Sequence, residues 1–295
     1  MQKNTLFHAV FPFLFLLCAC QSGTKQSQPS HNNELSSEHV PTPLPIFPDQ
    51  NETFLPDAPI DPIPPVTPVD PDVWDVSNVD ISAIDRTRKL IALTFDDAPA
   101  RQLESIIAVF AEYNEQNPDC VASATVFLNG CRFDPQTPTL LSAALTLGFE
   151  LGNHTDTHAD LTTLSIKETC DEIDRVDALL CALDGKEKHL FRPPFGKITK
   201  AQKSTLSTPI ISWTIDTLDW TGRNENEIYN TVMENKFSGA IVLMHDGYTP
   251  TLQALKRLLP DLKSEGYQAV SVSQMSKAHA CPLKRGGEYI RIRKK

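Results

Sequence analysis

Short apolar runs alternate with helix-like stretches through the middle of this 295-residue chain, and that alternation limits the folds open to it. The runs are largely uninterrupted, as expected of strands buried on both faces. There are seven: Leu90–Phe95, Ala122–Leu128, Phe149–Gly152, His189–Arg192, Ile210–Ile215, Ala240–Met244 and Tyr267–Val272. Between them lie helical patterns: Gln102–Tyr113, Pro138–Leu147, Ser165–Leu183, Asn226–Lys236 and Thr251–Lys263. This order predicts an α/β fold with a mostly parallel sheet, either doubly wound or closed as a (β/α) barrel.

Ionisable side chains follow five of the expected strands, each just past the carboxyl end. They are Asp96 and Asp97, His154, Arg192, Asp216 and Asp219, and His245. Such residues are poor occupants of buried strand ends unless they have a function. Because catalytic residues of parallel barrels gather at the carboxyl ends of the strands, the pattern favours a distorted (β/α) barrel of about seven parallel strands.

Two histidines, His154 and His158, stand four residues apart. On a helical turn this spacing would place both imidazoles on one face, close enough to hold one metal ion. Polar residues that recur on a solvated turn would look the same, so the pair alone does not decide between a metal site and an ordinary turn.

A second polar cluster, Asp96-Asp97, directly follows the apolar run Leu90–Phe95. Adjacent carboxylates at the end of a buried strand repel each other unless a cation neutralises their charge. One aspartate and two histidines would leave coordination positions open for water and substrate, which is typical of catalytic metal sites. The other aspartate would then be free to act as a base.

Five motifs, in order, resemble those of the NodB-type polysaccharide deacetylases, carbohydrate esterase family 4. They are TFDDAP (94–99), HTDTH (154–158), RPPFG (192–196), DTLDW (216–220) and LMH (243–245). Ala98 stands where that family usually has glycine, a change that reshapes the turn but removes no ligand. The resemblance implies a NodB homology catalytic domain over residues 74–276. It further implies removal of N-acetyl groups from a GlcNAc-containing polysaccharide, with peptidoglycan first.

The same resemblance implies a divalent metal, zinc before cobalt or manganese, held by Asp97, His154 and His158. Asp96 would be the general base for a metal-activated water that attacks the acetyl carbonyl. Arg192 would keep Asp96 ionised, since a guanidinium stays charged and can hold a carboxylate bidentately.

Further roles implied by the resemblance concern the leaving group and the substrate pocket. His245 would be the general acid, with Asp219 raising its pKa. The backbone amide of Phe195 would stabilise the oxyanion. The expected walls of the substrate pocket are Pro193, Trp220 and Leu243.

Three alternatives remain open at this point. An O-deacetylase of the acetylxylan type would use the same five motifs. A catalytically silent glycan-binding module would keep the fold but lack a ligand or the base, and here all are present. A non-haem iron oxygenase also uses two histidines and one carboxylate, but the spare aspartate and the His245–Asp219 pair favour hydrolysis.

The ends of the chain differ in composition from its middle. Residues 1–20 resemble a lipoprotein signal peptide ending in Leu17-Cys18-Ala19-Cys20, with Cys20 as the residue that would carry lipid. Residues 21–73 read as a disordered Ser/Pro-rich tether, since 11 of 23 prolines lie between Pro41 and Pro71. Residues 277–295 form a basic tail, expected as a solvated extension or an edge strand.

These features predict an exported protein, anchored to a membrane through Cys20 and facing the cell envelope. The formal net charge of -10 argues against nucleic-acid binding. The pairing of Cys120, Cys131, Cys170, Cys181 and Cys281 does not follow from the sequence, although Cys170 and Cys181 are too far apart on one helix to bridge each other.

Overall fold

The computed structural model describes residues 70–294, which form an α/β fold of strands and helices in alternation. The strands are β1 (Lys89–Ala98), β2 (Thr125–Leu128), β3 (Glu150–Asn153), β4 (Ile210–Ile211), β5 (Ile215–Asp216), β6 (Ile241–His245), β7 (Tyr267–Ala269) and β8 (Glu288–Tyr289). The helices are α1 (Leu103–Gln116), α2 (Thr137–Thr146), α3 (Ile166–Asp184), α4 (Lys200–Lys203), α5 (Glu225–Asn235), α6 (Thr249–Ser264) and α7 (Val272–Ala278).

The strands form a parallel sheet in the order β3-β2-β1-β6-β5, and β7 pairs with the first residues of β1. A second parallel pair joins β4 and β8. Parallel bridges from Phe191 to Asn153 and to Ile210 connect β3 with β4, and so extend the strand order towards closure. The predicted distorted (β/α) barrel is thereby confirmed.

The expected strand His189–Arg192 is reduced to the single residue Phe191, whose bridges are the only ladder contacts of that segment among residues 70–294. Pro193 and Pro194 follow at once, and neither has an N–H to continue a ladder. The expected strand Ile210–Ile215 is also divided, because the chain leaves the ladder between β4 and β5.

The strand β1 explains how an apolar core leads to a polar site. Its residues Leu90 to Phe95 are all buried. Because successive side chains point to opposite faces, Ile91, Leu93 and Phe95 pack into the core that includes α1 and α6. Leu90 and Ala92 pack into a second core with Phe127 and Ile241. Thr94 and Asp96 continue that second face, so it becomes polar towards the carboxyl end of the strand.

The described part of the tail packs against the domain. Of the two forms expected for it, the structure has the edge strand, β8, which pairs with β4. Leu283 and Ile292 are fully buried, and the Trp74 N–H donates to Leu283 O at 2.7 Å. Trp74, near the start of the described residues, therefore lies beside the tail.

Several sequence predictions concern residues outside 70–294: the signal peptide, nearly all of the tether and the lipid site Cys20. The division of the chain into 1–20, 21–73, 74–276 and 277–295 stays a prediction. Within the described residues, the cysteines at positions 120, 131, 170, 181 and 281 are all unpaired. A search of that same part of the chain finds no helix with the length and apolar character needed to cross a membrane.

Candidate active site

A cavity of about 380 Å³ opens where the carboxyl ends of the strands meet. Its lining contains residues from all five motifs. These are Asp96, Asp97, His154, His158, Phe195, Gly196, Trp213, Asp216, Trp220, Leu243 and His245. The structure thus brings together the ionisable residues that the sequence places after separate strands.

Asp96 lies at the floor of this cavity and is 3% exposed. Its Oδ1 accepts from Arg192 Nη1 at 2.6 Å, while its Oδ2 is 3.6 Å from His154 Nε2. Burial by itself would raise the pKa of Asp96, but the positive charge of Arg192 outweighs it and holds that pKa below its ordinary value. The carboxylate is therefore ionised and ready to accept a proton.

Arg192 is fully buried, and its guanidinium is fixed by hydrogen bonds and by an aromatic ring. Its Nε donates to Ile211 O at 2.8 Å, and its Nη1 donates to Thr94 Oγ1 at 2.8 Å as well as to Asp96. The guanidinium carbon is 4.1 Å from the centre of the Phe127 ring. A planar cation fixed in this way can orient the carboxylate beside it as well as attract it.

Asp97, His154 and His158 form a group whose candidate ligand atoms all lie within 4.8 Å of one another. Asp97 Oδ1 is 3.3 Å from His158 Nε2 and 3.9 Å from His154 Nε2. This oxygen is buried and has no hydrogen-bond partner among the described residues, an arrangement that a cation would satisfy.

The environment of His154 suits a metal ligand. Arg192 O can only accept a hydrogen bond, so His154 Nδ1 donates to it, at 2.7 Å, and Nε2 carries the lone pair towards Asp97. Burial lowers the pKa of His154, which favours the neutral ring that ligates a metal. The residues present therefore fit a divalent cation.

The helical turn expected for His154 and His158 is wrong. Both residues lie in a loop after β3, in which Thr155 has φ 70° and His158 has φ 59°. Two side chains four residues apart can meet in a tight loop as well as on a helix. Here the left-handed conformations of Thr155 and His158 turn the backbone sharply enough to bring the rings together. The rings still meet, with centroids 5.0 Å apart.

His245 is the last residue of β6 and the register partner of Asp96 on the neighbouring strand β1. Its Nδ1 is 2.7 Å from Asp219 Oδ1, and its backbone N–H donates to Asp219 Oδ2 at 2.8 Å. Burial alone would lower the pKa of His245, but the hydrogen bond and charge of Asp219 outweigh it, so the pKa lies above its ordinary value. Nε2 remains for a substrate.

Asp219, which accepts from His245, is itself buried and fixed by further hydrogen bonds. It is 1% exposed and also accepts from Thr251 Oγ1 at 2.7 Å and from the Trp220 N–H at 3.0 Å. Asp216 accepts from the Leu218 N–H at 2.9 Å and so shapes the turn that carries Asp219. This contact gives Asp216 a structural role.

Of the other predicted pocket residues, some line the cavity and one does not. Leu243 is 4% exposed and Trp220 is 54% exposed, and both line the cavity, one as floor and one as rim. Phe195 has φ 59°, and the hydrogen bonds of its turn come from the N–H groups of Gly196 and Lys197, so the Phe195 N–H takes part in neither. Pro193 is buried and is not part of the cavity lining.

Three residues near the site were not predicted from the sequence. Trp213 lines the cavity beside Gly196; it falls inside the expected strand Ile210–Ile215, and nothing in that run signalled a cavity residue. Arg132 Nη2 is 3.9 Å from Asp97 Oδ1. Asp246 accepts from the N–H groups of Ala100 and Gln102, at 2.5 and 2.9 Å, which ties the end of β6 to the loop after Asp97.

The arrangement has the parts of a hydrolytic site. The ionised carboxylate of Asp96 lies beside the candidate metal ligands, and His245, whose pKa is raised, is its register partner on the neighbouring strand. A base and an acid whose environments push their pKa values in opposite directions are suited to accept a proton in one step and deliver one in the next.

Comparison with known proteins gives a consistent result. The profile of the family described as "Polysaccharide deacetylase" matches residues 83–208. A peptidoglycan-N-acetylglucosamine deacetylase of Bacillus cereus is 33% identical over 219 residues, which cover 68% of this chain and 91% of that protein. A peptidoglycan-N-acetylmuramic acid deacetylase of Bacillus subtilis is 33% identical over 193 residues, 65% of this chain and 40% of that protein.

Solved structures agree with the sequence relatives. The structure of the peptidoglycan deacetylase PdaC from Bacillus subtilis has a TM-score of 0.60 and 32% identity, and the match covers 67% of this chain and 94% of that one. Among the curated proteins, the chain spans about two fifths of the length of several relatives, 40% and 39% in two cases.

Proposed function

The chain belongs to the polysaccharide deacetylase family, and we propose from this premise that it hydrolyses the N-acetyl groups of a GlcNAc-containing polymer, peptidoglycan first. The names of the relatives support this choice of polymer. The observation that carries the proposal is the position of Asp96, fixed by Arg192 at 2.6 Å and facing the candidate metal ligands.

The residues divide the reaction between them. When bound by Asp97, His154 and His158, a divalent metal lowers the pKa of water and polarises the acetyl carbonyl. Asp96 takes the proton of the attacking water. The Phe195 N–H donates to the developing oxyanion. His245, oriented by Asp219, donates a proton to the departing sugar amine, so that the amine leaves in neutral form.

The finer assignments extend the same proposal. Zinc is the expected metal because two histidines and one carboxylate suit it, with cobalt and manganese as substitutes. Leu243 and Trp220 would enclose the acetyl methyl group. We also propose export, with a lipid at Cys20 that holds the protein at a membrane facing the cell envelope; the resemblance of residues 1–20 to a lipoprotein signal peptide supports this.

The test is acetate release by the purified full-length protein from peptidoglycan, chitin oligomers and acetylated xylan, with and without chelator and added zinc. We expect metal-dependent release from the GlcNAc polymers. Asp96→Asn should lower kcat by about 10² to 10⁴-fold, the range for loss of a general base, while the variant still binds metal.

Two results would contradict the proposal. Release from xylan alone would make the protein an O-deacetylase. No release from any polymer, with metal bound, would favour the glycan-binding module. A matched control is Asp261→Asn, which alters a carboxylate that accepts from Tyr229 OH between α5 and α6. It should release acetate as the unaltered protein does.

A further inference from the structure

The loop that carries both histidine ligands, residues 154–158, is a costly conformation for this sequence. Thr155 has φ 70° although it is β-branched, and His158 has φ 59°. Residues other than glycine adopt left-handed backbone at a cost, most of all when they are branched at Cβ. Such residues persist only where surrounding contacts determine the conformation.

One residue outside the five motifs supplies several of these contacts. Glu172, in the second turn of α3, is 8% exposed. Its Oε2 accepts from the Thr157 N–H at 2.8 Å, and its Oε1 accepts from Thr157 Oγ1 at 2.9 Å. Its backbone oxygen accepts from the Asp156 N–H at 3.0 Å. A single helical residue thus binds two consecutive N–H groups between the ligands.

The other contacts of the loop come mainly from the segment 129–131 and bind its carbonyl oxygens. Asn129 Nδ2 donates to His154 O at 2.7 Å and to Thr155 O at 3.1 Å, and the Cys131 N–H donates to Asp156 O at 3.0 Å. These bonds fix the first half of the loop. The N–H groups of Asp156 and Thr157 are both bound by Glu172, and Thr157 directly precedes His158, so the direction of His158 depends on that residue.

We infer that Glu172 is a positioning residue for the metal centre: it holds the centre of the 154–158 loop so that His158 Nε2 faces Asp97. This inference rests on the proposed metal site but not on the proposed substrate. Charge supports it, because a carboxylate accepts two hydrogen bonds from Thr157 more strongly than a neutral acceptor does. Arg175 Nη1, 3.9 Å from Glu172 Oε1 and 3.1 Å from Asp156 Oδ2, compensates the negative charge.

The test is zinc affinity of the full-length protein, measured by competition with a chromophoric chelator and without any glycan. Glu172→Ala should weaken zinc binding by about 10- to 100-fold, the range for loss of a group that orients a ligand. Glu172→Gln, which keeps an acceptor for the Thr157 N–H, should weaken it less. Asp171→Asn, on the exposed side of α3, is the control and should bind zinc normally.

A purely structural role would lower the melting temperature of the metal-free protein and leave zinc affinity unchanged, and that result in Glu172→Ala would overturn the inference. If Glu172→Ala does not fold, Thr157→Val decides the question. It removes the hydroxyl that donates to Oε1 and should still weaken zinc binding several-fold; normal affinity in a folded Thr157→Val protein would overturn the inference equally.

The outcome is separable from that of the proposed function. A protein that binds zinc through Asp97, His154 and His158 but releases no acetate would refute the deacetylase proposal and leave Glu172 open to this test. Normal zinc affinity in the variants of an active enzyme would refute the role of Glu172 alone.

Discussion

Single residues set the pH range in which this site can act. The charge of Arg192 holds the pKa of Asp96 below its ordinary value in spite of burial. Asp219 raises the pKa of His245 in spite of the burial of that ring. Between the two pKa values Asp96 is ionised and His245 is protonated, which is the state that the proposed hydrolysis needs.

Asp219→Asn should shift the alkaline limb of the pH–rate profile to lower pH. The sign follows from the direction of the shift: Asp219 stabilises the protonated imidazolium, so its neutralisation lowers the pKa of His245, and the acid loses its proton at lower pH. The measurement is kcat for acetate release across pH at saturating zinc. An alkaline limb that stays in place in Asp219→Asn, with the fold intact, would show that His245 is not the acid.

Elements decide where these residues lie, and β1 shows how. Its alternation takes Leu90 and Ala92 into an apolar core and then Thr94 and Asp96 into the polar site. The tail, which follows β7 and α7 in the chain, contributes a contact with the residues that precede β6. Gly239 O accepts from the Ile292 N–H at 2.9 Å, which holds the last described residues against the start of β6.

Gly239→Ala should destabilise the protein more than Gly222→Ala. The two glycines have similar φ values, 95° and 88°, so both substitutions incur the left-handed penalty of about 1 to 2 kcal/mol. A Cβ on Gly239 would meet Ile292 O at 2.1 Å, whereas a Cβ on Gly222 meets nothing within 4 Å. We expect a further loss of about 1 to 3 kcal/mol for Gly239→Ala, from overpacking.

Chemical denaturation of both variants measures the difference directly. Equal losses of unfolding free energy would mean that the tail does not pack against Gly239 as described.

Much of the fold could be predicted because buried parallel strands and amphipathic helices leave clear patterns. The long helix expected at Ser165–Leu183 is α3, and Ser165 is its N-cap, with Glu168 completing the capping box. The short helix α4 was missed, although Thr199 and Gln202 form a second capping box. Four residues give too little hydrophobic periodicity to be recognised.

The candidate site could be predicted as far as its motifs reach. Asp97, His154 and His158 lie close together beside Asp96 and Arg192, as the motifs predicted. The backbone of the histidine loop could not be foreseen, because left-handed φ values at Thr155 and His158 are imposed by contacts from Asn129 and Glu172, far away in the sequence. Trp213 was missed because it falls inside the expected strand Ile210–Ile215, where a tryptophan suggests the core; the chain leaves the ladder there instead.

At the scale of the whole described domain, metal binding should be coupled to stability. A ligand that binds the folded state alone stabilises it by about 2.7 kcal/mol at a hundredfold excess over Kd. For a domain of this size that corresponds to a rise in Tm of roughly 5 to 10 °C.

Thermal unfolding with zinc and with chelator tests this coupling. Asp97→Ala should unfold at the same temperature under both conditions, because its site lacks one of three ligands. Asp261→Asn should keep the full response to zinc. A chelator-insensitive Tm in the unaltered protein would contradict a metal centre at this position.

The two contacts of Arg192 have an evolutionary consequence. Its peptide oxygen accepts from His154, a proposed metal ligand, and its guanidinium binds Asp96, the proposed base. Substitutions near this residue should therefore show epistasis between metal retention and turnover, and selection would seldom preserve them. A descendant that abandons hydrolysis has an easier route through Asp96 or His245, whose replacement leaves the histidine loop in place. Lineages that follow it would inherit a metal-loaded glycan receptor.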